Sequence, residues 1–151
     1  MNELAFNIRL PETAEDWEAY YTCRWELLRK PWDQPLGSEK DEHDADGYHV
    51  MAVDGQGQVI GVGRVHFNNP AEAQVRYMAV REDCSQQGIG SLILTKLENY
   101  AVEKGAQKIM LFARENAIDF YLKRGYFNQG PAHNLYGQIP HLHMTKTIGK
   151  K

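Results

Sequence analysis

The chain has little cysteine, no long apolar run and no excess of charge of one sign. Cys23 and Cys84 are the two thiols in 151 residues. They form no metal-type cluster, and they suit a reducing cytoplasm better than a disulfide scaffold. No apolar stretch approaches the roughly 20 residues that cross a bilayer. The opening MNELAFNIRLPETAEDW carries acids where a signal peptide carries an apolar core, so no secretory leader and no membrane partner are expected. A formal charge of -3, from 17 Lys and Arg against 20 Asp and Glu, offers no concentrated basic surface of the kind that meets a nucleic-acid backbone. What remains is an ordinary globular balance, 42% hydrophobic and 25% charged, in a length that suits one domain, residues 1–151.

Hydrophobic periodicity divides the chain. Residues 5–10 read as a first strand, and Thr13 followed by Asp16 as a helix-starting cap. Trp17, Tyr21 and Leu28 fall at helical spacing, with Arg24 on the same stripe; Pro31 and Pro35 end this helix. YHVMAV and QVIGVGRVHF, joined by DGQG, read as an antiparallel hairpin, and AQVRYMAV as the next strand. The following helix places Ile89, Leu92, Ile93, Leu97, Tyr100 and Ala101 on one face and stops at Gly105. KIMLFA reads as a strand, NAIDFYLKRGY as a short helix closed by Gly125, NQGPAHNLYGQI as a loop and PHLHMTKTI as the last strand. The order β-α-β-β-β-α-β-α-β predicts an α/β fold, a mixed sheet covered by helices.

Between a strand and a helix lies CSQQGIGSLIL, Cys84 to Leu94. A helix N-terminus presents unpaired amides and a partial positive charge. Glycines at 88 and 90 keep side chains out of the way of those amides, so the junction suits a phosphate; a tight turn is the other use of such glycines. Two phosphate motifs are excluded. No Lys-Ser or Lys-Thr follows these glycines, and Ile93 stands where a dinucleotide fingerprint needs its third glycine.

The junction resembles motif A of the GNAT superfamily, the acetyl-CoA-dependent N-acyltransferases: Arg or Gln, two residues, Gly, one residue, then Gly or Ala, after a strand. Here it reads Ser85-Gln86-Gln87-Gly88-Ile89-Gly90, with Ser85 departing from the first position. The segment Asn116 to Tyr126 resembles the family's second signature, with Phe120 and Tyr121 as its F-Y pair. The two motifs in order, with the matching succession of strands and helices, extend the resemblance from the first strand to the last. It implies a mostly antiparallel mixed sheet flanked by helices, acetyl-CoA as co-substrate and a primary amine on a small molecule or peptide as acceptor. It implies no metal. The tail YGQIPHLHMTK and the upstream GRVHF resemble a bacterial branch of unassigned substrates, and by analogy the final strand is expected at a homodimer contact.

By similarity, backbone groups of Met78, Ala79 and Val80 bond the pantetheine arm. Residues Ser85, Gln86, Gln87, Gly88, Ile89, Gly90 and Ser91 hold the pyrophosphate, and Asn116, Phe120 and Tyr121 line the other side. Attack by a neutral amine needs a donor for the oxyanion, such as the Val80 amide, and a proton or hydrogen bond for the leaving thiolate. The resemblance gives the second task to Tyr121. Gln74 and Arg76 stand where several relatives carry a carboxylate base. His66, on the strand face of Arg64, is one substitute if it is exposed, and a half-buried sheet histidine otherwise; a water chain or an amine arriving neutral are the other routes. The missing carboxylates also motivate a rival reading, a CoA-binding sensor without turnover.

Other residues have milder readings. His141 and His143 share a strand face but have no evident third ligand. The acidic run Glu39, Asp41, Glu42, Asp44, Asp46 reads as a solvated loop or as an attractor of a cationic amine. Arg24 and Arg64 suit an anionic substrate group, or for Arg24 a stem packed beneath a charged head. Cys84 has no basic neighbour in sequence and reads as an inert thiol.

Overall fold

In the computed structural model, which describes residues 6–148, the Thr13 side chain accepts from the Asp16 amide and the Asp16 carboxylate accepts from the Thr13 amide. This reciprocal pair satisfies two orphan donors and starts helix α1 (Ala14–Leu28) as the sequence predicts. Arg9, on β1 (Phe6–Arg9), holds the same carboxylate, Nη1 to Oδ2 at 2.9 Å. A three-residue 3-10 turn, Lys30–Trp32, follows α1 and another, Glu42–Asp44, precedes β2.

The remaining elements are β2 (Tyr48–Asp54), β3 (Val59–Asn69), β4 (Glu72–Val80), α2 (Ile89–Glu103), β5 (Lys108–Arg114), α3 (Ile118–Leu122), β6 (Phe127–Leu135) and β7 (Ile139–Thr147). Their hydrogen-bonded order is β1-β2-β3-β4-β5-β7-β6. The β1–β2, β2–β3, β5–β7 and β6–β7 ladders are antiparallel and β4–β5 is parallel; α2 supplies the long crossover that a parallel pair requires. The β2–β3 turn is tied by Asp54, whose Oδ1 accepts from the amides of Gln56 and Gln58, each at 2.9 Å.

One element departs from the sequence reading. The segment expected as a loop before the last strand contains β6, so the sheet has seven strands rather than six. Asn, Gln, Gly130 and Pro131 disguise it. It is the last strand in the sheet order, and its register shifts at Asn128/Gly130 and at Pro131/Asn134. An edge strand tolerates proline and bulges, because one side of its backbone has no ladder to keep.

The chain packs as two units. One runs to His66 and takes in Tyr77–Tyr100; the other comprises Phe67–Arg76 and continues from Ala101. In the first, Tyr20, Cys23, Met51, Val53 and Val62 form a buried cluster, and α2 buries Ile89, Ile93, Leu94 and Leu97. Leu92, expected on that apolar face, is instead exposed. In the second, Ile109, Leu111, Ala113, Tyr121, Tyr126 and Met144 are buried. No helix among the described residues is long and apolar enough to cross a membrane.

Candidate active site

The first unit contains the glycine junction. After β4 the chain makes a 3-10 turn over Glu82–Gln87 and reaches Gly88 at φ +79°. A Cβ there would meet nothing within 4 Å. The glycine is therefore required by backbone conformation, since L residues pay to enter this region, and open space lies beside it. The first helical bond of α2 is Leu92 N to Gly88 O, 3.1 Å. The amides of Ile89, Gly90 and Ser91 precede it, in the first turn of a 15-residue helix, where amides have no intrahelical partner. A pyrophosphate fits such a place: open space, amide donors and the positive end of a helix dipole. The side chains of Ser85, Gln86 and Gln87 lie outside the described ones.

Packing fixes α2 against β3. A Cβ built on Gly61 would fall 3.0 Å from Ile93 Cδ1 and 3.2 Å from Ile89 Cγ2, with Ala79 O at 3.5 Å. Glycine at 61 thus lets the start of α2 and the end of β4 meet over the same strand. Arg81 N donating to Ile60 O at 2.9 Å holds that end of β4. Met78, Ala79 and Val80 are half-buried. Earlier in β4, pairing to β5 covers Glu72–Gln74 opposite Lys108–Met110. Tyr77, inside the strand, has φ +61°.

Beneath β4 lies a buried charge cluster that sequence reasoning saw only in pieces. Arg24 and Arg64 are 0% exposed. Arg24 Nη1 donates to Asp44 Oδ1 (2.9 Å) and to Glu39 O (3.1 Å), and its Nη2 to the Tyr20 hydroxyl (2.9 Å). Arg64 donates to both oxygens of Asp41 and, at 2.9 Å, to Asp44 Oδ1. The acidic run is therefore not one solvated loop. Asp41 and Asp44 are nearly buried ion-pair partners and Glu39 is buried, whereas Glu42 and Asp46 stay in water. Both carboxylates are paired with the arginines. Burial opposes charge on Asp44, but Arg24 beside it and its hydrogen bonds hold its carboxyl below the usual range.

His66, read as either exposed or half-buried, is 4% exposed and so deeper than both readings. Arg64 Nη2 lies 3.1 Å from its Nδ1. A guanidinium only donates, so Nδ1 is the acceptor and the ring proton sits on Nε2. The ring stacks on His43 at 4.0 Å. His49 is likewise internal. Its Nε2 donates to Asp44 O at 3.0 Å, and its Nδ1 accepts from the Tyr20 hydroxyl at 2.8 Å. Burial, more than any charge, pushes its pKa down.

The second unit holds the other signature. A 3-10 turn over Glu115–Ala117 carries exposed Asn116 into α3, which ends before Gly125 at φ +94°. Tyr121 is 6% exposed, edge-on to Phe120 at 5.0 Å and to Tyr126 at 5.6 Å. Burial pushes its phenol well above the ordinary value, so at neutral pH it is a hydrogen-bond donor. Gln74 is half-buried and Arg76 exposed. His141 stacks on His133 at 4.5 Å. Among the described residues no group of three or more His, Cys, Asp or Glu is placed to hold a metal ion. The Cys84 thiol is pushed up, by burial first and then by Asp83, and the Cys23 thiol is pushed up to about 12 by burial.

Residues 14–126 match the family model described as the acetyltransferase (GNAT) family, and the chain belongs to that family of acetyl-CoA-dependent acetyltransferases. It is 30% identical over 129 residues to the "Uncharacterized N-acetyltransferase YjcF" of Bacillus subtilis, a match covering 85% of this chain and 90% of that one. Its fold is similar to a crystal structure of an aminoglycoside 6'-N-acetyltransferase complexed with coenzyme A, with TM-score 0.78 at 18% identity over 96% of this chain and 98% of the other. It is also similar to an acyl-CoA N-acyltransferase from Pseudomonas aeruginosa, with TM-score 0.77 at 19% identity over 96% of this chain and 100% of the other.

Proposed function

We propose that residues 1–151 form one N-acetyltransferase domain that moves the acetyl group of acetyl-CoA directly to a primary amine, on a small molecule first and on a peptide second. The observation that carries this reading is the junction at Gly88: a left-handed glycine beside open space, at the start of a long helix, in a chain of the GNAT family. The amides of residues 86–91 take the pyrophosphate, and backbone groups of Met78, Ala79 and Val80 take the pantetheine. Asn116 and Phe120 are assigned to the cofactor by the family's second signature. The Val80 amide donates to the developing oxyanion. Tyr121, a protonated phenol at working pH, donates to the departing sulfur.

Direct transfer is supported by the state of the thiols. Both cysteines are held protonated above their ordinary range, so neither is an activated nucleophile for an acyl-enzyme; the same thiols suit a reducing cytoplasm. His66 does not take the amine proton in this reading, because Arg64 occupies its lone pair. The amine arrives neutral or loses its proton to water. A homodimer through β7 belongs to the same reading and is tested by light scattering.

Thermal melting with acetyl-CoA, CoA and NADH at matched concentrations tests the site. A rise with acetyl-CoA and CoA but not NADH is expected, followed by release of free thiol when a panel of amines is added with acetyl-CoA. No rise with either CoA species near millimolar concentration overturns the reading.

A further inference from the structure

Three non-glycine residues in the described chain have positive φ: Asp33, Tyr77 and Tyr136. Asp33 and Tyr136 lie in turns, where the left-handed conformation is common. Tyr77 lies inside β4, with strand residues on both sides. A bulky residue in this region persists only where its surroundings over-determine it. The sequence shows no reason for it, since tyrosine is a good strand residue.

The surroundings are three guanidiniums. The Arg24 Cζ sits 4.1 Å from the centroid of the Tyr77 ring, that of Arg64 5.0 Å and that of Arg29 5.5 Å. The Tyr77 hydroxyl donates to Asp41 Oδ2 at 3.5 Å. Desolvated cations over a ring attract it strongly, and these cations cannot drift. Arg24 is tied to Asp44, Tyr20 and Glu39 O, and Arg64 to Asp41, Asp44 and His66. Arg29 Nε donates to Ser38 O at 3.1 Å. What the cluster does is grip one ring. Gly47 belongs to the same grip, since a Cβ there would fall 2.8 Å from Arg64 Cδ.

One left-handed residue in a strand turns the peptide groups that follow out of the regular alternation. The residues that follow are Met78, Ala79 and Val80. We propose that Tyr77 is a positioning residue for acetyl-CoA: the Arg24–Arg64 clamp holds it left-handed, and this aims the backbone of residues 78–80 at the pantetheine arm. The inference rests on the acetyl-CoA reading above and adds to it the device that shapes this strand.

The test is calorimetric binding of two ligands to the full chain: acetyl-CoA, and 3'-phospho-ADP, which keeps the pyrophosphate and lacks pantetheine. Tyr77→Leu removes the ring and unclamps the strand. It is expected to weaken acetyl-CoA about tenfold, the order of one lost desolvated cation–ring contact, and to leave 3'-phospho-ADP within about twofold. Tyr77→Phe keeps the ring and is expected to restore acetyl-CoA affinity. Should Tyr77→Leu fail to fold, Arg24→Lys keeps the charge facing Asp44 but loses the planar cation, and the same selective loss is expected. Unchanged acetyl-CoA affinity in a folded Tyr77→Leu or Arg24→Lys protein overturns the proposal, and so does equal weakening of both ligands. If the unaltered protein binds neither ligand, the acetyl-CoA reading falls and the clamp's role falls with it; if it binds both and the variants behave as wild type, the clamp alone is wrong.

Discussion

Gly63 of β3 lies directly against Ile93 of α2, and a Cβ at position 63 would stand 2.7 Å from Ile93 Cγ2. Met78 Sδ at 3.0 Å and Leu97 Cδ1 at 3.1 Å close the other sides. The strand therefore approaches the helix closely, and this contact helps to hold the helix whose first turn follows Gly88. Gly63→Ala is expected to overpack this contact at a cost of about 1–3 kcal/mol. Because α2 must move, acetyl-CoA affinity falls together with melting temperature. A variant that melts like wild type and binds acetyl-CoA normally would show that the neighbours yield and that the close approach is unimportant.

Gly88 poses a different problem, conformation without crowding. Its φ of +79° is strained for an L residue, yet no atom lies within 4 Å of a built Cβ. Gly88→Asn, which tolerates the left-handed region, is expected to cost little stability. Gly88→Val is expected to cost about 1–2 kcal/mol or more in backbone strain, and its branched side chain enters the space proposed for the pyrophosphate. Differential scanning calorimetry with and without acetyl-CoA separates the two terms. Full ligand stabilisation in Gly88→Val would place the pyrophosphate elsewhere.

Tyr121→Phe removes a buried phenol while keeping the ring against Phe120 and Tyr126. Steady-state rates are expected to fall about a hundredfold, with CoA affinity unchanged, because the role proposed for the hydroxyl is on the departing sulfur. Burial raises the phenol pKa, so ionisation of Tyr121 does not reduce the wild-type rate until the pH is above the ordinary phenol value of about 10. An unchanged rate in Tyr121→Phe would reduce Tyr121 to a packing residue.

Local devices were legible in the sequence and distant pairings were not. The Thr13–Asp16 box, the Asp54 turn and the glycine-bearing strand-to-helix junction at Gly88 each depend on a few consecutive residues, and each is present. Arg24, Asp44 and Arg64 are separated by 20 residues at each step. Read singly they suggested a packed stem, a solvated loop and an anion site, and only the fold makes them one cluster. His66 looked available because strand alternation gives its face but not what packs on that face, here His43 and Arg64. Leu92 fitted the helical stripe yet points to water, since burial depends on the width of the strand surface beneath. Edge strand β6 was hidden by the polar and proline-containing composition that an edge permits, and nothing in the letters at Tyr77 announces a positive φ.

His49 makes the acid side of the stability profile predictable. Its ring is neutral in the fold, donating from Nε2 to Asp44 O and accepting at Nδ1 from Tyr20. Burial and the nearby Arg24 charge oppose a second proton, so its folded pKa lies below the ordinary 6.5. The unfolded chain takes up that proton as pH falls through about 6.5 and the folded chain does not, so the unfolded state binds more protons in this window. The stabilisation is fully present above 6.5 and is lost as pH falls toward the lower folded value. His141 is depressed in the same direction, so the two add. Melting temperature is therefore expected to fall from pH 7 to pH 5. His49→Gln leaves the Tyr20–Arg24–Asp44 chain imperfectly bonded and is expected to cost about 1–3 kcal/mol at pH 7, but its profile between pH 7 and 5 should be flatter than that of the wild type, with the residual slope belonging to His141. A profile as steep in His49→Gln as in the wild type would mean that another group drives the acid loss and that the Tyr20–His49 bond does not hold the ring neutral.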